Sequence, residues 1–494
     1  MKQATGRTTN KGTMTDMRAD SRSVFGPDPG DVQRVDEAAR QILDRVGIRI
    51  DHEDCLNLLD KAGAQVDRSE RRVRFSSELL DELIARAPSR FVLCSRDGRK
   101  DVRLGEGKVH FANGGRVFRI LDMGSGGYRL TMLRDVSATA SIVDNLDNID
   151  TYVIACQAHD IPPEHYHLND FFHALSHTTK HVMGGCGDLT GAKQLWDLVT
   201  VVANGEAAFK ERPFVSVITN PVSPLTIDPT TVDILRFCCT QGIPVTCAPA
   251  PISGATSPAT LAGTLAQMHA EALAGVAVAQ VFNPHAKILY GAVATTMDLR
   301  TMEFTMGSVE GAIMNGFAVR LAKLHDLPIY ASAGVTEAKR PDIQSGVEKS
   351  FSILSTAQAG ADFIHLAAGM LDSGNSIAYE QYVIDDEIIG MTRRFLDGVA
   401  VDRETLGVDV IAKVGPGGNF VTEDHTVDHM MEEFFYPTLA VRSNFDIWEE
   451  KARPDMLNRA NARVEEILHD KTESLLEPEL IARIKESFAG IVNI

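Results

Sequence analysis

Between residues 106 and 400, short runs of apolar or small residues alternate with stretches whose apolar residues recur at helical spacing. The runs fall at 109–111, 151–155, 181–186, 213–219, 244–248, 288–294, 328–333 and 363–368, and they read as buried strands. A helical stretch follows each of them, the last over 379–396. Eight such units predict an α/β chain folded as a (β/α)8 TIM barrel, an architecture of roughly 250 residues. An open doubly wound sheet shows the same alternation, but no run here leads into GxGxxG.

The flanks have a different rhythm. Residues 1–30 are polar and rich in Gly and Thr, so they are expected to be disordered or draped on the surface. Residues 31–105 form an expected helical and hairpin region. In it, 32–47 has helical spacing and closes on Gly47, and 51–64 and 76–87 repeat the pattern with Ser76 as an N-cap. After the barrel, expected over 106–400, comes an extension of residues 401–494. It holds VGPGGNF at 414–420, TEDHTVDHMMEEFFYP at 422–437, RSNFDIW at 442–448 and a helical run from 454 to about 491. It is too long for a simple cap and is expected to serve as an oligomer contact.

One unit, PIYASAGVTEAKRPDIQSGVEK at 328–349, shows the βα grammar most plainly. The strand stops at Gly334, a polar loop runs to Arg340, and Pro341-Asp342 opens the helix with proline in its first turn. In a barrel the C-terminal strand ends share one mouth, where the chemistry sits.

Composition narrows the class. With 44% hydrophobic and 23% charged residues among 494, the chain reads as an ordinary globular protein. No apolar run is expected to reach the ~18 residues of a membrane span. The N-terminus lacks the charged-then-apolar order of a signal peptide, so a cytoplasmic location is expected. A net charge of −18 disfavours nucleic acid and anionic membrane, which reward a basic face. The seven cysteines, at 55, 94, 156, 186, 238, 239 and 247, are scattered, odd in number and without CxxC. That argues against a disulfide framework or a zinc ribbon.

At the predicted strand ends stand Asn113, Gly114, Gln157, Gly185, Gly187, Asn220, Pro221, Ala250, Thr295, Thr296, Gly334, Thr336, His365 and Gly369. Small residues and amides dominate, and charges are few. No lysine ends a strand as a Schiff base would require, and no facing carboxylates suggest glycosidase chemistry. The set predicts a wide mouth, although any single glycine equally suits a tight turn. His165, His167, His173, His177 and His181 crowd one segment, but HExxH is absent and the pair His173/His177 lacks a further ligand, so no metal is expected. His365, within FIHLAAG, is either a satisfied core histidine or a group that polarises substrate. His425 and His429, beside Glu432 and Glu433, read as a solvated face.

Several motifs in a fixed order carry a likeness: YASAGVTEAKRPDIQSGVEKS, then GADFIHLAAGMLDSGNSIAYEQYVIDDEIIGMTRRFLDG, then VGPGGNF, HTVDH and the region of Trp448. Together they resemble the trimethylamine methyltransferase superfamily, from about residue 30 to the C-terminus. The resemblance implies a (β/α)8 barrel that moves a methyl group from an amine to Co(I) of a corrinoid held on a separate small protein. Archaeal trimethylamine enzymes of the superfamily carry pyrrolysine in the loop after the seventh strand, which falls here at about Gly334, Val335 and Thr336. Only ordinary residues stand there. The chain therefore resembles the non-pyrrolysine branch, whose characterised members demethylate quaternary amines, glycine betaine above all. A quaternary nitrogen is already a cationic leaving group, whereas a tertiary amine needs activation.

That resemblance implies an in-line displacement that leaves dimethylglycine and needs no general base, so the site supplies orientation. His365 is the expected catalytic residue. Asn113, Gln157, Asn220, Tyr330, Gly334, Val335, Thr336 and Phe363 are expected to bind substrate. Aromatic faces for the trimethylammonium group would come from Phe111, Phe118, Tyr330, Phe363 or Tyr379, each of which equally suits the core. Gly185, Gly187, Thr295, Thr296, Gly369, Gly417 and Gly418 are expected to face the corrinoid. The expected partners are a quaternary amine, a cognate corrinoid protein and further copies of the chain, with no cofactor tightly bound. Carnitine, proline betaine, γ-butyrobetaine, choline and trimethylamine stay open as substrates. So does a non-catalytic quaternary-amine-binding protein, which would need no corrinoid entry face. A barrel lyase or aldolase is disfavoured by the missing strand-end lysine and metal ligands.

Overall fold

The computed structural model describes residues 27–470 and 473–493. Eight parallel strands close into a barrel in chain order. They are β1 (His110–Asn113), β2 (Thr151–Val153), β3 (His181–Gly185), β4 (Val215–Thr219), β5 (Val245–Cys247), β6 (Ile288–Ala292), β7 (Ile329–Ser332) and β8 (Phe363–Ala368), the last pairing with β1. Every predicted run overlaps one of them, with β1 extending two residues past its run to Asn113. Helices cover the outside of the barrel, so strand residues are buried on both faces and the runs read as continuously apolar.

The helices that follow the strands are α1 (Leu133–Asp144), α2 (Tyr166–His177), α3 (Leu189–Val202), α4 (Pro229–Gln241), α5 (Leu261–Phe282), α6 (Val309–Leu324), α7 (Ile343–Gln358) and α8 (Tyr379–Asp397). Several loops end in a capping side chain: Asp188 before α3, Asp228 before α4, Ser308 before α6 and Asp342 before α7 each accept from a first-turn N–H. Pro341 lies one residue ahead of the α7 cap and not in its first turn, because Asp342 and Ser345 form a reciprocal capping box there.

Ahead of the barrel, helix Pro29–Gln41 widens into a π turn at Ile42–Val46 and stops at Gly47. Helices Glu53–Lys61 and Ser77–Ile84 follow, with the Ser76 hydroxyl accepting from Leu79 N–H. The hairpin of Phe91–Leu93 and Val102–Leu104 plugs the N-terminal end of the barrel. It sets Phe91, Leu93, Val102 and Leu104 against Ala112, Val153, Met183, Leu289 and Phe363. The expectation for residues 1–30 falls almost entirely outside the described residues; Asp28 caps the helix that Pro29 begins.

Helix α5 corrects one expectation. Its 22 residues are apolar and long enough to cross a membrane by length and composition, yet 89% of the apolar window is buried within the molecule. A helix that is apolar all round is stable in water only when enclosed, and here the N-terminal helices and the barrel enclose it.

Beyond α8, helix Met456–Asp470 buries Ala460, Val464 and Ile467 against α8 and α1. Helix Pro478–Ser487 packs on α3. The single run expected over 454–491 is thus two helices, the second opened by Pro478. Helices Val408–Val414, Asp424–Glu433 and Phe445–Glu450 bury no residue. Three β excursions rise at the barrel mouth: Arg119–Leu121 with Tyr128–Leu130, Thr295–Asp298 with Glu303–Thr305, and Met370–Leu371 with Ser376–Ile377. Strands of two to four residues are too short to leave a periodic signal.

Candidate active site

At the C-terminal mouth lies a cavity of about 330 Å³, at the small end of the range for small-molecule sites. Its wall is mostly aliphatic and small, with Gly115, Gly184, Gly185, Ala248, Ala250 and Gly374 leaving the space. Two non-glycine wall residues hold left-handed backbones, Arg116 with φ 59° and Leu366 with φ 64°. Leu366 sits where the β8–β1 register slips between Ile364 and Ala368. Such a bulge re-aims a side chain, here into the cavity, and non-glycine residues in this backbone region cluster at functional sites.

Strand alternation turns Tyr330 and Ser332 of β7 inward beside Phe363 and His365 of β8, with Tyr330 opposite Phe363 and Ser332 opposite His365. The rings of Tyr330 and His365 stack at 3.8 Å and 20°, and Phe363 continues the stack below Tyr330 at 5.6 Å. The Ser332 hydroxyl donates to Ala292 O at 2.9 Å, so it accepts from His365 Nε2–H. Nδ1 is then the ring's acceptor. Burial pushes His365 down to about 3, and the imidazole is neutral at any ordinary pH.

Arg116 is the one charged residue on the cavity wall among the described residues. Its Nη1 lies 3.3 Å from His167 Nδ1, and its Nη2 lies 3.4 Å from Asp170 Oδ2. His167 Nε2 already accepts from Gly187 N–H at 2.7 Å. A neutral imidazole has a single acceptor nitrogen, so His167 cannot serve both donors. Burial, reinforced by the Arg116 charge, holds His167 down at about 4. The guanidinium therefore presents donors without firm acceptors in an otherwise apolar wall. Behind it, the fully buried Asp170 has no hydrogen-bond partner for either oxygen among the described residues. Burial pushes that carboxyl up to about 7 against the opposing pull of Arg116.

Of the residues expected at the site, Asn220, Tyr330, His365 and Gly185 line the cavity, and the others lie elsewhere. The Asn113 amide donates to Gly114 O and Val153 O and accepts from Val153 N–H, tying β1 to β2. Gln157 lies off the wall, its carbonyl accepting from the Thr131 hydroxyl. Phe363 belongs to the plug layer below. The loop of Gly334, Val335 and Thr336 turns outward. Gly334 has φ 87°, and a Cβ there would fall 2.6 Å from Ala367 Cα, so only glycine fits beside β8. Val335 is buried, and the Thr336 hydroxyl donates to Glu348 on α7.

The expected corrinoid-facing set is similarly dispersed. Gly187 packs on His167, and Gly369 packs on Tyr382 with its N–H donated to Asp385 at 2.8 Å. Thr295 and Thr296 lie on the added hairpin, where the Thr296 hydroxyl is paired with those of Thr305 and Ser308. Gly417 and Gly418 stand in the exposed part of the extension. Of the aromatic candidates only Tyr330 reaches the cavity. The Arg393 guanidinium lies 5.0 Å from the Phe111 ring, Phe118 is half exposed beside His159, and the Tyr379 hydroxyl donates to Asp135. Sequence reasoning missed Arg116. Its signal was a lone charge directly after the Asn-Gly-Gly that ends the first strand.

Among the described residues one set of metal-type ligands converges, Asp36, His269 and His325, outside the barrel. Asp36 Oδ1 accepts from both imidazoles at 2.9 and 2.8 Å, and Oδ2 accepts from Arg40 at 2.8 Å. Hydrogen bonds thus already satisfy each carboxylate oxygen. His173 pairs with Ser137 and Val492 O, and His177 with His173 O, so these two share no ligand site. All seven cysteines are free thiols.

The model of the family described as trimethylamine methyltransferase (MTTB) matches residues 2–489. The chain belongs to the trimethylamine methyltransferase family. Within it, the chain is similar to the glycine betaine methyltransferase of Desulfitobacterium hafniense (strain Y51), at 30% identity over 459 residues, covering 93% of this chain and 95% of that one. It is also similar to the trimethylamine methyltransferase MttB of Desulfitobacterium hafniense (strain DSM 10664 / DCB-2), at 31% over 468 residues, covering 95% and 94%. Among solved structures, the monomethylamine methyltransferase of Methanosarcina barkeri covers 91% of this chain and 95% of its own, at 14% identity and a TM-score of 0.49. The family expectation is borne out and the chain is a methyltransferase; its (β/α)8 fold rests on the closed strand order.

Proposed function

We propose that this family member demethylates a quaternary amine bearing a carboxylate, glycine betaine foremost. The methyl group passes to Co(I) of a corrinoid carried on a separate protein, and dimethylglycine is released. The observation that carries this reading is Arg116, a single cation with unfilled donors in an apolar cavity wall. A carboxylate there gains charge-assisted hydrogen bonds, whereas choline and trimethylamine offer no anion. The glycine betaine methyltransferase among the relatives supports the same substrate.

The rest of the wall suits methyl groups on a cation. The stacked rings of Tyr330 and neutral His365 offer aromatic faces, each worth about 1–2 kcal/mol when desolvated. One such stack holds the trimethylammonium group without over-stabilising the charge that the reaction removes. A protonated histidine would repel the substrate, and the low proton affinity of His365 prevents that. Asn220 adds an amide at the rim. The corrinoid supplies the nucleophile. The chain supplies position, a dry wall and a methyl group turned toward the open mouth.

The test is to mix the protein with Co(I) cobalamin or a cognate corrinoid protein and follow the Co(I) absorbance with glycine betaine, carnitine, proline betaine, choline and trimethylamine. Consumption of Co(I) is expected with the carboxylated quaternary amines, fastest with glycine betaine. No loss of Co(I) with any quaternary amine would sink the methyl-transfer reading, and equal rates with choline would remove Arg116 from substrate recognition.

A further inference from the structure

Two departures from ordinary structure meet at one point of the cavity wall. Arg116 holds a left-handed backbone. Beside it, Asp170 on α2 is fully buried, with neither carboxylate oxygen hydrogen-bonded among the described residues. Buried carboxylates normally collect donors, and one without them calls for an explanation. Its charged neighbour is the Arg116 guanidinium, at an ion-pair distance of 3.4 Å but not aligned as a hydrogen bond. The other titratable groups around it are Tyr152 of β2, Cys156 just beyond β2 and His167 one turn earlier on α2. All three are neutral near pH 7, because burial pushes Tyr152 and Cys156 up and His167 down to about 4. Arg116 thus faces one carboxylate inside the protein and the cavity outside it.

We propose that Asp170 is a positioning residue for Arg116 and competes with the substrate's carboxylate for the guanidinium, so that a zwitterionic amine binds together with one proton taken up by Asp170. The proposal rests on the reading that Arg116 seats a carboxylate. One guanidinium in an apolar wall cannot neutralise two carboxylates, so when the second arrives the buried one takes a proton from solvent. The charges balance: ionised enzyme plus zwitterion plus H⁺ gives the complex with Asp170 protonated and Arg116 paired to substrate. Burial already raises the Asp170 carboxyl to about 7, which places the exchange near neutral pH. A substrate without an anion leaves the Arg116–Asp170 pair undisturbed, so its binding takes up no proton.

The experiment is calorimetric titration of glycine betaine into the full chain from pH 6 to 9, in two buffers of different ionisation enthalpy, for wild type and Asp170→Asn, the neutral isostere. In wild type, affinity is expected to fall by about tenfold per pH unit above neutrality, with uptake approaching one proton. In Asp170→Asn, affinity is expected to be independent of pH and within about threefold of the wild-type value at pH 6. A wild-type affinity flat across the range, or a variant that keeps the wild-type slope, overturns the proposal while leaving betaine binding intact. The two-buffer measurement on wild type decides the matter even where the variant fails to fold. Absence of glycine betaine binding at every pH, in folded protein, defeats the substrate reading itself and the proposal with it.

Discussion

Arg116 is 30% exposed and makes no firm hydrogen bond, but it is the charge that faces the buried Asp170, so its replacement should move binding and also cost some stability, held down because Asp170 can then stay protonated. Arg116→Ala is expected to raise the KM for glycine betaine by roughly 10- to 100-fold, the worth of a charge-assisted hydrogen bond, with a smaller change in kcat. Steady-state kinetics over a range of betaine concentrations measures the split, and an unchanged KM would contradict the role. For His365 the expectation concerns both pH and chemistry. Because it stays neutral down to about pH 3, it contributes no inflection to kcat/KM between pH 5 and 9. His365→Ala, which strips the face stacked on Tyr330, is expected to lower kcat/KM by about tenfold or more; an unchanged value would remove His365 from the site. Tyr330, Asn220 and His365 were legible because strand alternation and strand ends place them. Arg116 was not, because a lone arginine after two glycines looks like solvated loop until its positive φ aims it inward.

At the scale of elements, the loop after β7 owes its position to a buried ion pair. Lys349 of α7 donates to Gly334 O at 2.6 Å and to Asp385 of α8 at 2.9 Å, and Asp385 accepts from Gly369 N–H at 2.8 Å. Two fully buried side chains thus fasten the ends of β7 and β8 to the helices that cover them. Lys349→Met leaves Asp385 buried and unpaired and is expected to cost about 3–5 kcal/mol, whereas Lys349→Met with Asp385→Leu recovers most of the loss. Urea unfolding of the three proteins measures this, and equal midpoints for the single and double variants would refute it. The eight βα units were legible because each is long enough to show its period. The hairpins at the mouth were not, and Thr295 and Thr296, which looked like strand ends, belong to one of them.

For the whole molecule, burial of imidazoles sets the response to acid. His173, His181 and His269 are held at about 4 and His365 at about 3, each by burial, against about 6.5 in an unfolded chain. Between these values the unfolded state binds more protons, so stability falls as pH drops from about 6.5 toward 4 and is unaffected by these groups above 7. Urea midpoints at pH 7.5, 6 and 5 are expected to fall in that order, and a constant midpoint would contradict this. A second expectation concerns the extension. Val401, Val408, Val421, Met431 and Phe445 are each more than 60% exposed, an apolar surface of the kind that a second copy covers. Light scattering after gel filtration is expected to give at least twice 53.8 kDa; a monomer would refute self-association.

The sequence by itself determined the barrel, because apolar runs at strand length alternating with helical spacing have few other solutions. It also determined the family, because the ordered motifs extend over most of the chain. Only the tertiary structure decided which strand-end residues share a cavity. A side chain's direction at a strand end depends on a single φ or a one-residue slip in register. Arg116 and Leu366 turn inward on such details, while Gly334, Val335 and Thr336 turn away to meet α7. The pairing of Arg116 with Asp170, 54 positions apart, exists only because the loop after β1 meets α2 at the mouth, and no local pattern encodes that contact.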